Sequence, residues 1–348
     1  MKIGKIDPRR LTSILTVLVA LIGLAIIVLD WKQIRTAVSQ AGWEPIPFAL
    51  AATVVSYVCI SLSFAQVSRL LGVNMRRWNL AIIGFISIVL NHLVLSGGAA
   101  GYSVRFMLMN RHGVSLREVV AISILHFLLT SLMMIAMLPV GLLYVGVNAS
   151  LSQTTATVLA LSALLLFLGS LFGVGVIFWG KLRRRALRLL VKVAGTLLRR
   201  DLQEPLERFE GTMALGIRTM REDPGSMLII GGLIALDWAF SAMALWFCFR
   251  AFDITLAVGE LVSGFVIGTV AGVASLFPGG LGIQEASMTG IFALLGTPFE
   301  KAVVAAILYR VVYSIVPYLV SLGFYRWILR QEDKSRRAQE AEYENPYA

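Results

Sequence analysis

Residues 256–285 read LAVGELVSGFVIGTVAGVASLFPGGLGIQE, an apolar stretch that stops at a proline and two glycines before a more polar segment begins. A membrane-spanning helix needs about 20 apolar residues to cross a hydrocarbon core about 30 Å thick. Pro278 interrupts a helix because it lacks a backbone N–H, and Gly279 and Gly280 let the backbone turn or approach a ligand closely. The stretch therefore predicts a broken helix within a membrane, where open backbone is tolerated only if protein or a water-filled cavity surrounds it.

A second stretch, residues 78–113, has the same organisation: an apolar run meets Gly97 and Gly98, and a weaker amphipathic segment follows. In both copies the glycine pair precedes, by the same number of residues, a tetrapeptide that fits the capping-box pattern. These tetrapeptides are Ser115–Glu118 and Thr297–Glu300. We predict that the copies form an inverted repeat, an arrangement that transporters use around a binding site near the midplane.

The whole chain has the composition of a membrane protein. Of its 348 residues, 57% are hydrophobic and 15% are charged, and the mean hydropathy is +0.80, whereas a soluble domain carries about 25% charged residues. We predict one all-α polytopic domain over residues 1–330, with six full spans and two re-entrant or broken-helix hairpins. The predicted spans are Leu11–Leu29, Ile46–Phe64, Glu118–Val145, Thr155–Trp179, Met227–Phe249 and Lys301–Trp327, and the hairpins begin with Trp78–Leu95 and Leu256–Phe277.

The distribution of lysine and arginine orients the chain, because cytoplasmic loops carry an excess of these residues. Basic residues precede the first span, follow the second, fill residues 181–200 and follow the last span, whereas the loop Gly146–Thr154 carries no charge. We predict a multi-pass protein of the cell (inner or plasma) membrane with both termini in the cytoplasm. The first hairpin then enters from the cytoplasmic side and the second from the outer side.

The net charge of +11 comes from basic residues at the ends of apolar runs, which argues against a nucleic-acid partner. Residues 181–200 contain eight basic and no acidic residues, with apolar residues at roughly helical spacing. Within the cytoplasmic linker 181–226 this pattern predicts either an amphipathic helix on anionic lipid or an ordinary positive loop. The charged tail 331–348 is predicted to be disordered.

Ionisable residues within spans cost about 2.5–3.5 kcal/mol each on insertion scales, so those present here need a reason. We predict that Arg310 faces a cavity and pairs with an acidic residue, with Glu285 preferred over Asp237. The positions of Asp237 and His126 fit a bundle-stabilising role and a functional role equally well. The candidate substrate-binding residues are Arg105, Arg310, Glu285, Asp237, His92, Asn91, Pro278, Gly279, Gly280, Gly97 and Gly98.

No catalytic motif accompanies these residues. The sequence lacks a Walker A motif, a nucleophile elbow, a Rossmann fingerprint and a His-Glu-x-x-His pair. We therefore predict neither an enzyme activity nor a cofactor or metal site. Gly264, Gly268 and Gly272 form a ridge of small residues that predicts close helix packing.

Two strings resemble a known family. Residues 278–285, PGGLGIQE, together with Gly296 and residues 308–310, LYR, resemble the C-terminal signature of the lysylphosphatidylglycerol synthase transmembrane family, also called the flippase-like domain. Residues 96–105, SGGAAGYSVR, resemble its first motif, except that Gly101-Tyr102 stands where the family usually has Gly-Glu. The resemblance covers about residues 10–330 and implies the translocating membrane part without the soluble synthase domain.

These observations predict a transporter that moves a phospholipid or lipid-linked headgroup between leaflets, passively or with an ion gradient. Arg105 and Arg310 would hold the phosphate, while Asp237 and Glu285 would balance these charges or contact a cationic headgroup. One alternative is a membrane enzyme or accessory protein acting on polyprenyl-linked glycans, with Glu285 as the base. Another is a non-transporting scaffold for an envelope enzyme. A separate lipid-modifying enzyme would suit the transporter and the scaffold as a partner.

Overall fold

We analysed the fold in a computed structural model of the chain. The structure describes residues 36, 39, 41–93, 99–185, 211, 217–218, 222–275 and 280–328. These residues are helical apart from short loops and caps, and none of them forms a strand. The predicted all-α polytopic architecture is thereby confirmed.

The described part of the chain divides into the following helices. They are α1 Ile46–Leu70, α2 Arg77–Leu93, α3 Ala99–Asn110, α4 Leu116–Asn148, α5 Gln153–Phe178, α6 Pro224–Arg250, α7 Val258–Ala274, α8 Ile283–Leu294 and α9 Phe299–Arg310. A π-helical turn, Val311–Ile315, follows α9, and the helix then continues to Ile328.

Among these helices, α1, α4, α5, α6 and the long helix that starts with α9 are long and apolar enough to cross a membrane. They correspond to five of the six predicted spans. The other predicted span, Leu11–Leu29, lies outside the described residues, as do most of the basic linker (residues 186–210) and the tail 331–348. The predictions for those three segments remain predictions.

Each hairpin is built from two short helices that pack on each other. Helices α2 and α7 have 17 residues each, and α3 and α8 have 12 residues each. A rise of about 1.5 Å per residue makes these helices about 26 Å and about 18 Å long. Both lengths fall short of a hydrocarbon core about 30 Å thick, which favours re-entrant hairpins over pairs of full crossings.

Helices α1 and α6 form an antiparallel pair on which both hairpins pack. At one end of the pair the Gly42 N–H donates to the Ala251 carbonyl (2.8 Å), and at the other end Gln66 Nε2 donates to Ser226 Oγ (3.0 Å). One hydrophobic cluster joins the α7–α8 hairpin to the first half of α1 and the second half of α6. A second cluster joins the α2–α3 hairpin to the opposite halves. The hairpins thus lie at opposite ends of one helix pair, as an inverted repeat requires.

Of the two predicted capping boxes, the first is present. The Ser115 hydroxyl accepts from the Glu118 N–H (3.3 Å), and the Glu118 carboxylate accepts from the Ser115 N–H (2.7 Å). The second, Thr297–Glu300, is wrong: Pro298 is the N-cap of α9, and no side chain caps it. The reason is that the Thr297 N–H already donates to the Phe292 carbonyl (2.9 Å) at the end of α8.

The ridge of small residues on α7 packs directly against α8, as predicted. A Cβ atom at Gly264 would lie 2.2 Å from Phe292 Cζ, and one at Gly268 would lie 2.2 Å from Met288 Cγ and 3.1 Å from the Gln284 carbonyl oxygen. Contacts this short leave no room for a methyl group. The close approach of α7 and α8 therefore depends on glycine.

We predict that Gly268→Ala destabilises the protein. Overpacking of this kind costs about 1–3 kcal/mol, of which the better helix propensity of alanine offsets about 1 kcal/mol. Gly290→Ala in α8 is the matched control, because nothing lies within 4 Å of a Cβ atom there. SDS-driven unfolding in mixed micelles measures both, and a Gly268→Ala protein as stable as Gly290→Ala would contradict the packing.

Candidate functional site

Buried polar side chains within the bundle form three groups. We define the Arg105 site as Arg105 with Ser87, Ser123 and Phe64. The Asp237 cluster consists of Asp237 with Ser56, Ser241 and Tyr313. The Arg310 pair consists of Arg310 and Glu285 with Gln284.

In the Arg105 site, helix α3 holds a guanidinium group against α1, α2 and α4. Nε and one terminal nitrogen donate to Ser87 Oγ (3.1 and 3.0 Å), and the other terminal nitrogen donates to Ser123 Oγ (3.0 Å). The guanidinium carbon lies 4.2 Å from the centroid of the Phe64 ring. The Ser87 hydroxyl donates to the Gly84 carbonyl (2.9 Å), so its lone pairs remain for the arginine.

This arginine is buried without a counter-charge. Its side chain is 5% exposed, and no carboxylate of the described residues forms an ion pair with it. Neutral hydroxyls and an aromatic face hold the guanidinium in place but leave its charge unbalanced. Such a group is suited to bind an anion, because planar guanidinium recognises carboxylate and phosphate through paired hydrogen bonds.

Near the Arg105 site, His126 connects α4 to α1. The Ser63 hydroxyl donates to the Ile60 carbonyl (2.8 Å), so it accepts from His126 Nε2 (2.9 Å). The His126 ring also meets the Phe64 ring edge-on, with centroids 5.6 Å apart. Of the two roles predicted for His126, bundle-stabilising and functional, this geometry fits the bundle-stabilising one.

The Asp237 cluster is held by hydroxyl groups. Asp237, the central residue of α6, is 8% exposed, and its Oδ1 accepts from Ser56 Oγ at 2.5 Å. Ser56 Oγ also lies 3.0 Å from Ser241 Oγ and 2.9 Å from the Tyr313 hydroxyl. The Ser241 and Tyr313 hydroxyls are 2.6 Å apart. One hydroxyl, that of Ser56, therefore donates to the buried carboxylate, and two further hydroxyls from α6 and the π-helical turn bond to Ser56.

Asp237 was predicted either to balance the arginines or to contact a cationic headgroup, and the first role is not seen as a direct contact among the described residues. Within the described part of the chain it forms no ion pair with Arg105, Arg310 or any other cation. The physical reason is that the α1 side chain at this point is Ser56, whose hydroxyl donates to the carboxylate, while Tyr313 of the π-helical turn bonds in turn to Ser56.

His92 adjoins this cluster through Tyr57. The Tyr57 hydroxyl donates to the Tyr313 carbonyl (2.9 Å) and lies 2.9 Å from His92 Nδ1. Because a phenol has one proton to donate, this bond assigns the hydrogen to His92 Nδ1 and leaves Nε2 as an acceptor. The Tyr309 and Tyr313 rings stack with centroids 5.1 Å apart, which gives the cluster an aromatic wall.

The predicted pairing of Arg310 with Glu285 is confirmed. Arg310 Nε donates to Glu285 Oε1, and a terminal nitrogen donates to Gln284 Oε1 (3.1 Å). The other Glu285 oxygen accepts from the Gly282 N–H (2.8 Å), so the same carboxylate holds the start of α8. Arg310 precedes the π-helical turn Val311–Ile315, a distortion that is frequent at functional sites.

Two further candidates, Asn91 and Gly280, support the path of the backbone. Asn91 Oδ1 accepts from the Gly101 N–H (3.1 Å), which ties α3 to α2. Gly280 has φ +61°, and a Cβ there would lie 2.9 Å from Gly272 Cα; only glycine fits this position. The remaining candidates, Gly97, Gly98, Pro278 and Gly279, lie outside the described residues.

No sequence pattern distinguishes the hydroxyl residues, and the amide of Gln284, that complete these groups. Serines are common in apolar helices and often bond to their own backbone. The one available signal was the placement of polar side chains near the middle of a span. This signal does not distinguish side chains that bond to a buried charge from those that do not. The residues missed in this way are Ser56, Tyr57, Ser87, Ser123, Ser241, Gln284 and Tyr313.

Fold and site together define a class: a polytopic α-helical membrane protein in which two short-helix hairpins pack on a central helix pair that carries buried charges. The chain belongs to the family described as the lysylphosphatidylglycerol synthase TM region, which matches residues 13–321. The family resemblance noted in the sequence is thereby confirmed. The protein is membrane-embedded and belongs to a lipid-related family.

Individual relatives match a smaller part of the chain. It is 31% identical over 87 residues to the phosphatidylglycerol lysyltransferases of Staphylococcus aureus strains MRSA252 and COL, and 31% identical over 88 residues to that of Staphylococcus haemolyticus strain JCSC1435. Each alignment covers 25% of this chain and 10% of the relative. The match thus spans about a tenth of the length of these curated relatives.

We predict that Arg310 and Glu285 are energetically coupled. Their side chains are 12% and 18% exposed, and neighbouring charged groups of this kind show coupling energies of about 0.5–3 kcal/mol. A double-mutant cycle with Arg310→Ala and Glu285→Ala, followed by SDS-driven unfolding, should give a positive coupling, with the double variant no less stable than either single variant.

The exposed pair Arg218–Glu222, at 2.8 Å with side chains 78% and 62% exposed, serves as the control for this cycle. Water screens such a pair, so its coupling should be clearly smaller. Equal coupling in the two cycles would show that burial does not strengthen the Arg310 pair.

Proposed function

We propose that this protein moves a phosphate-bearing lipid, or a lipid-linked headgroup, between the two leaflets of the membrane. The observation that carries the proposal is the buried guanidinium of Arg105, which has no carboxylate partner among the described residues. A charge held at this depth is costly unless it serves a ligand. The family match supports a lipid as that ligand.

The hairpin architecture also supports translocation. Two short-helix hairpins that pack on opposite halves of α1 and α6 suit a bundle in which one repeat moves against the other around a central site. The Arg105 site lies with the α2–α3 hairpin and the Arg310 pair with the α7–α8 hairpin. Each repeat thus contributes one arginine that can contact phosphate. Arg310 would do so by releasing Glu285 and binding the phosphate in its place.

The enzyme alternative assigned Glu285 the role of general base. In the structure one oxygen of this carboxylate accepts from Arg310 and the other accepts from the Gly282 N–H, so both oxygens are already engaged by donors of the protein. This engagement favours transport without chemistry. A scaffold with no transport activity would not need an arginine that is buried in the bundle without a carboxylate partner among the described residues.

The test is reconstitution in liposomes with fluorescent phospholipids of different headgroup charge. We expect the wild-type protein to accelerate exchange of acidic phospholipids between leaflets, and Arg105→Gln to lower the initial rate about tenfold to a hundredfold. The reason is the loss of charge-assisted hydrogen bonds worth about 1.5–3 kcal/mol. Arg105→Lys should recover only part of the rate, because lysine lacks the paired donors.

Arg76→Gln is the matched control, since Arg76 is an exposed arginine in the loop before α2 and should leave the rate unchanged. Wild-type protein that moves lipid no faster than empty liposomes would overturn the proposal. So would an Arg105→Gln protein that is folded and retains the full rate.

We further propose that both termini lie in the cytoplasm and that the α4–α5 loop lies outside. A Ser150→Cys variant tests this, because Ser150 is exposed in that loop and the native Cys59 and Cys248 are buried. A membrane-impermeant maleimide should label this variant from outside intact cells. Labelling only after the cells are opened would reverse the orientation.

A further inference from the structure

Asp237 is a buried acid at the centre of α6 that the proposed transport of a phosphate group leaves without a role. It is not a counter-ion, since it accepts from the Ser56 hydroxyl and no cation of the described residues pairs with it. It is not a ligand for the phosphate either, because an ionised carboxylate and a phosphate repel each other. A carboxylate placed at mid-span with only neutral partners is costly while ionised, and binding a proton removes that cost.

We propose that Asp237 is a proton-binding site and that its proton moves together with the anionic headgroup, which makes the transport proton-coupled. The proposal rests on the function proposed above and adds the driving ion.

Asp237 is the group of the cluster that binds and releases the proton, because the ionisable groups near it are neutral or engaged with other partners. Two elements packed on α6 carry ionisable residues: α1 carries Tyr57 and Cys59, and α9 with the π-helical turn carries Tyr309, Arg310 and Tyr313. The phenols and the thiol are neutral near neutral pH. Arg310 is engaged by Glu285, and His92 on α2 is bonded through Nδ1 to Tyr57.

The other helices packed on α6 carry ionisable groups that are engaged elsewhere. On α4, Glu118 bonds to Ser115 and His126 to Ser63. On α7, Glu260 accepts from the Ala257 N–H (2.9 Å). Tyr144 of α4 lies against Gly259. Cys248, on α6 itself, is buried. None of these groups neutralises Asp237.

The hydroxyl cluster can accommodate both protonation states. With Asp237 ionised, Ser56 donates to Oδ1 and accepts from Ser241 or Tyr313. When a proton from water forms an O–H bond at Oδ1, Asp237 becomes the donor and Ser56 the acceptor. The Ser56 proton then turns toward Ser241 or Tyr313. No heavy atom needs to leave hydrogen-bond distance, so a proton can be taken up and released without breaking the packing.

Charge couples this site to the headgroup. An ionised Asp237 repels an incoming phosphate inside the low-dielectric bundle, where charges interact more strongly than in water. A protonated Asp237 does not, so headgroup and proton enter together and leave together. For a singly charged phospholipid the loaded state carries no added net charge. An imposed pH difference should therefore drive lipid transport, and a membrane potential should contribute little.

The experiment uses the full chain in liposomes with an acidic phospholipid that carries a fluorescent acyl chain. With an acidic exterior and a more alkaline interior, the labelled lipid should accumulate in the inner leaflet. The limit is about tenfold per unit of pH difference for one proton per lipid, since one pH unit is a tenfold difference in proton activity. Chemical quenching of the outer leaflet reads the distribution, and an ionophore that collapses the pH difference should abolish it.

Asp237→Asn, which resembles the protonated acid, should still exchange lipid between leaflets but should no longer accumulate it or respond to pH. Asp253→Asn is the matched control, because Asp253 is an exposed acid with φ +58°, a conformation that asparagine tolerates. This control should accumulate lipid as the wild type does.

Infrared difference spectroscopy adds a readout independent of transport: a carboxylic-acid C=O band that titrates in the wild type and is missing in Asp237→Asn.

The possible failures are distinguishable. Wild-type protein that exchanges lipid but produces no asymmetry across a pH difference overturns the coupling and leaves the proposed function standing. An Asp237→Asn protein that accumulates lipid like the wild type, or a wild type without the titrating band, overturns the proton site. Wild-type protein that exchanges no lipid at any pH overturns the proposed function and the coupling with it.

Discussion

Backbone N–H and C=O groups that are released where a helix stops cannot face hydrocarbon, since each unsatisfied group costs several kcal/mol there. This constraint governs the whole architecture, because each repeat interrupts an apolar segment between two short helices. The interruption is stable only if the returning helix packs tightly against the first one. Glycine makes that packing feasible: Gly268 lies against Met288 in one hairpin, and in the other Gly101 lies so close to α2 that a Cβ would stand 2.2 Å from the Ser87 carbonyl oxygen.

The antiparallel pair of α1 and α6 gives the two hairpins a common surface. Because each hairpin uses opposite halves of both helices, the middle of the pair is where the two repeats meet. Asp237 and Ser56 lie in this middle region, and the π-helical turn brings Tyr313 to the same point. A polar group in this position is sensitive to movement of either repeat, which suits a residue that links ion binding to conformational change.

The charges in the bundle are kept apart. Arg105 is held by serines and an aromatic ring and Asp237 by the Ser56 hydroxyl, and of these three charges Arg310 alone has an acidic partner among the described residues. Direct pairing of Arg105 with Asp237 would offset much of the cost of burying both. It would also remove the capacity of each to bind a transported charge. The separation is therefore consistent with a protein whose buried charges interact with a passing headgroup and its proton.

The sequence by itself determined the class of fold and part of the site. Long apolar runs, glycine breaks and flanking basic residues predicted the spans and the hairpins, because hydrocarbon restricts the backbone to few solutions. The Arg310–Glu285 pair was also predictable, since a buried arginine needs a partner and Glu285 belongs to the same repeat. The capping box at Ser115 followed from a local pattern, whereas Thr297 departed from it because its N–H was already used by α8.

Only the tertiary structure decided what surrounds the other charges. Ser56 and Asp237 are 181 positions apart in the chain, and Tyr313 lies 257 positions from Ser56, so no local pattern could bring them together. Serine and tyrosine carry no signal of their own in an apolar helix, because they can face lipid, bond to their own backbone or meet a distant partner. The packing of α1 against α6 and the π-helical turn brings these side chains to a distant partner. As a result, Asp237 accepts from the hydroxyl of Ser56, and no arginine in the described part of the chain is its partner.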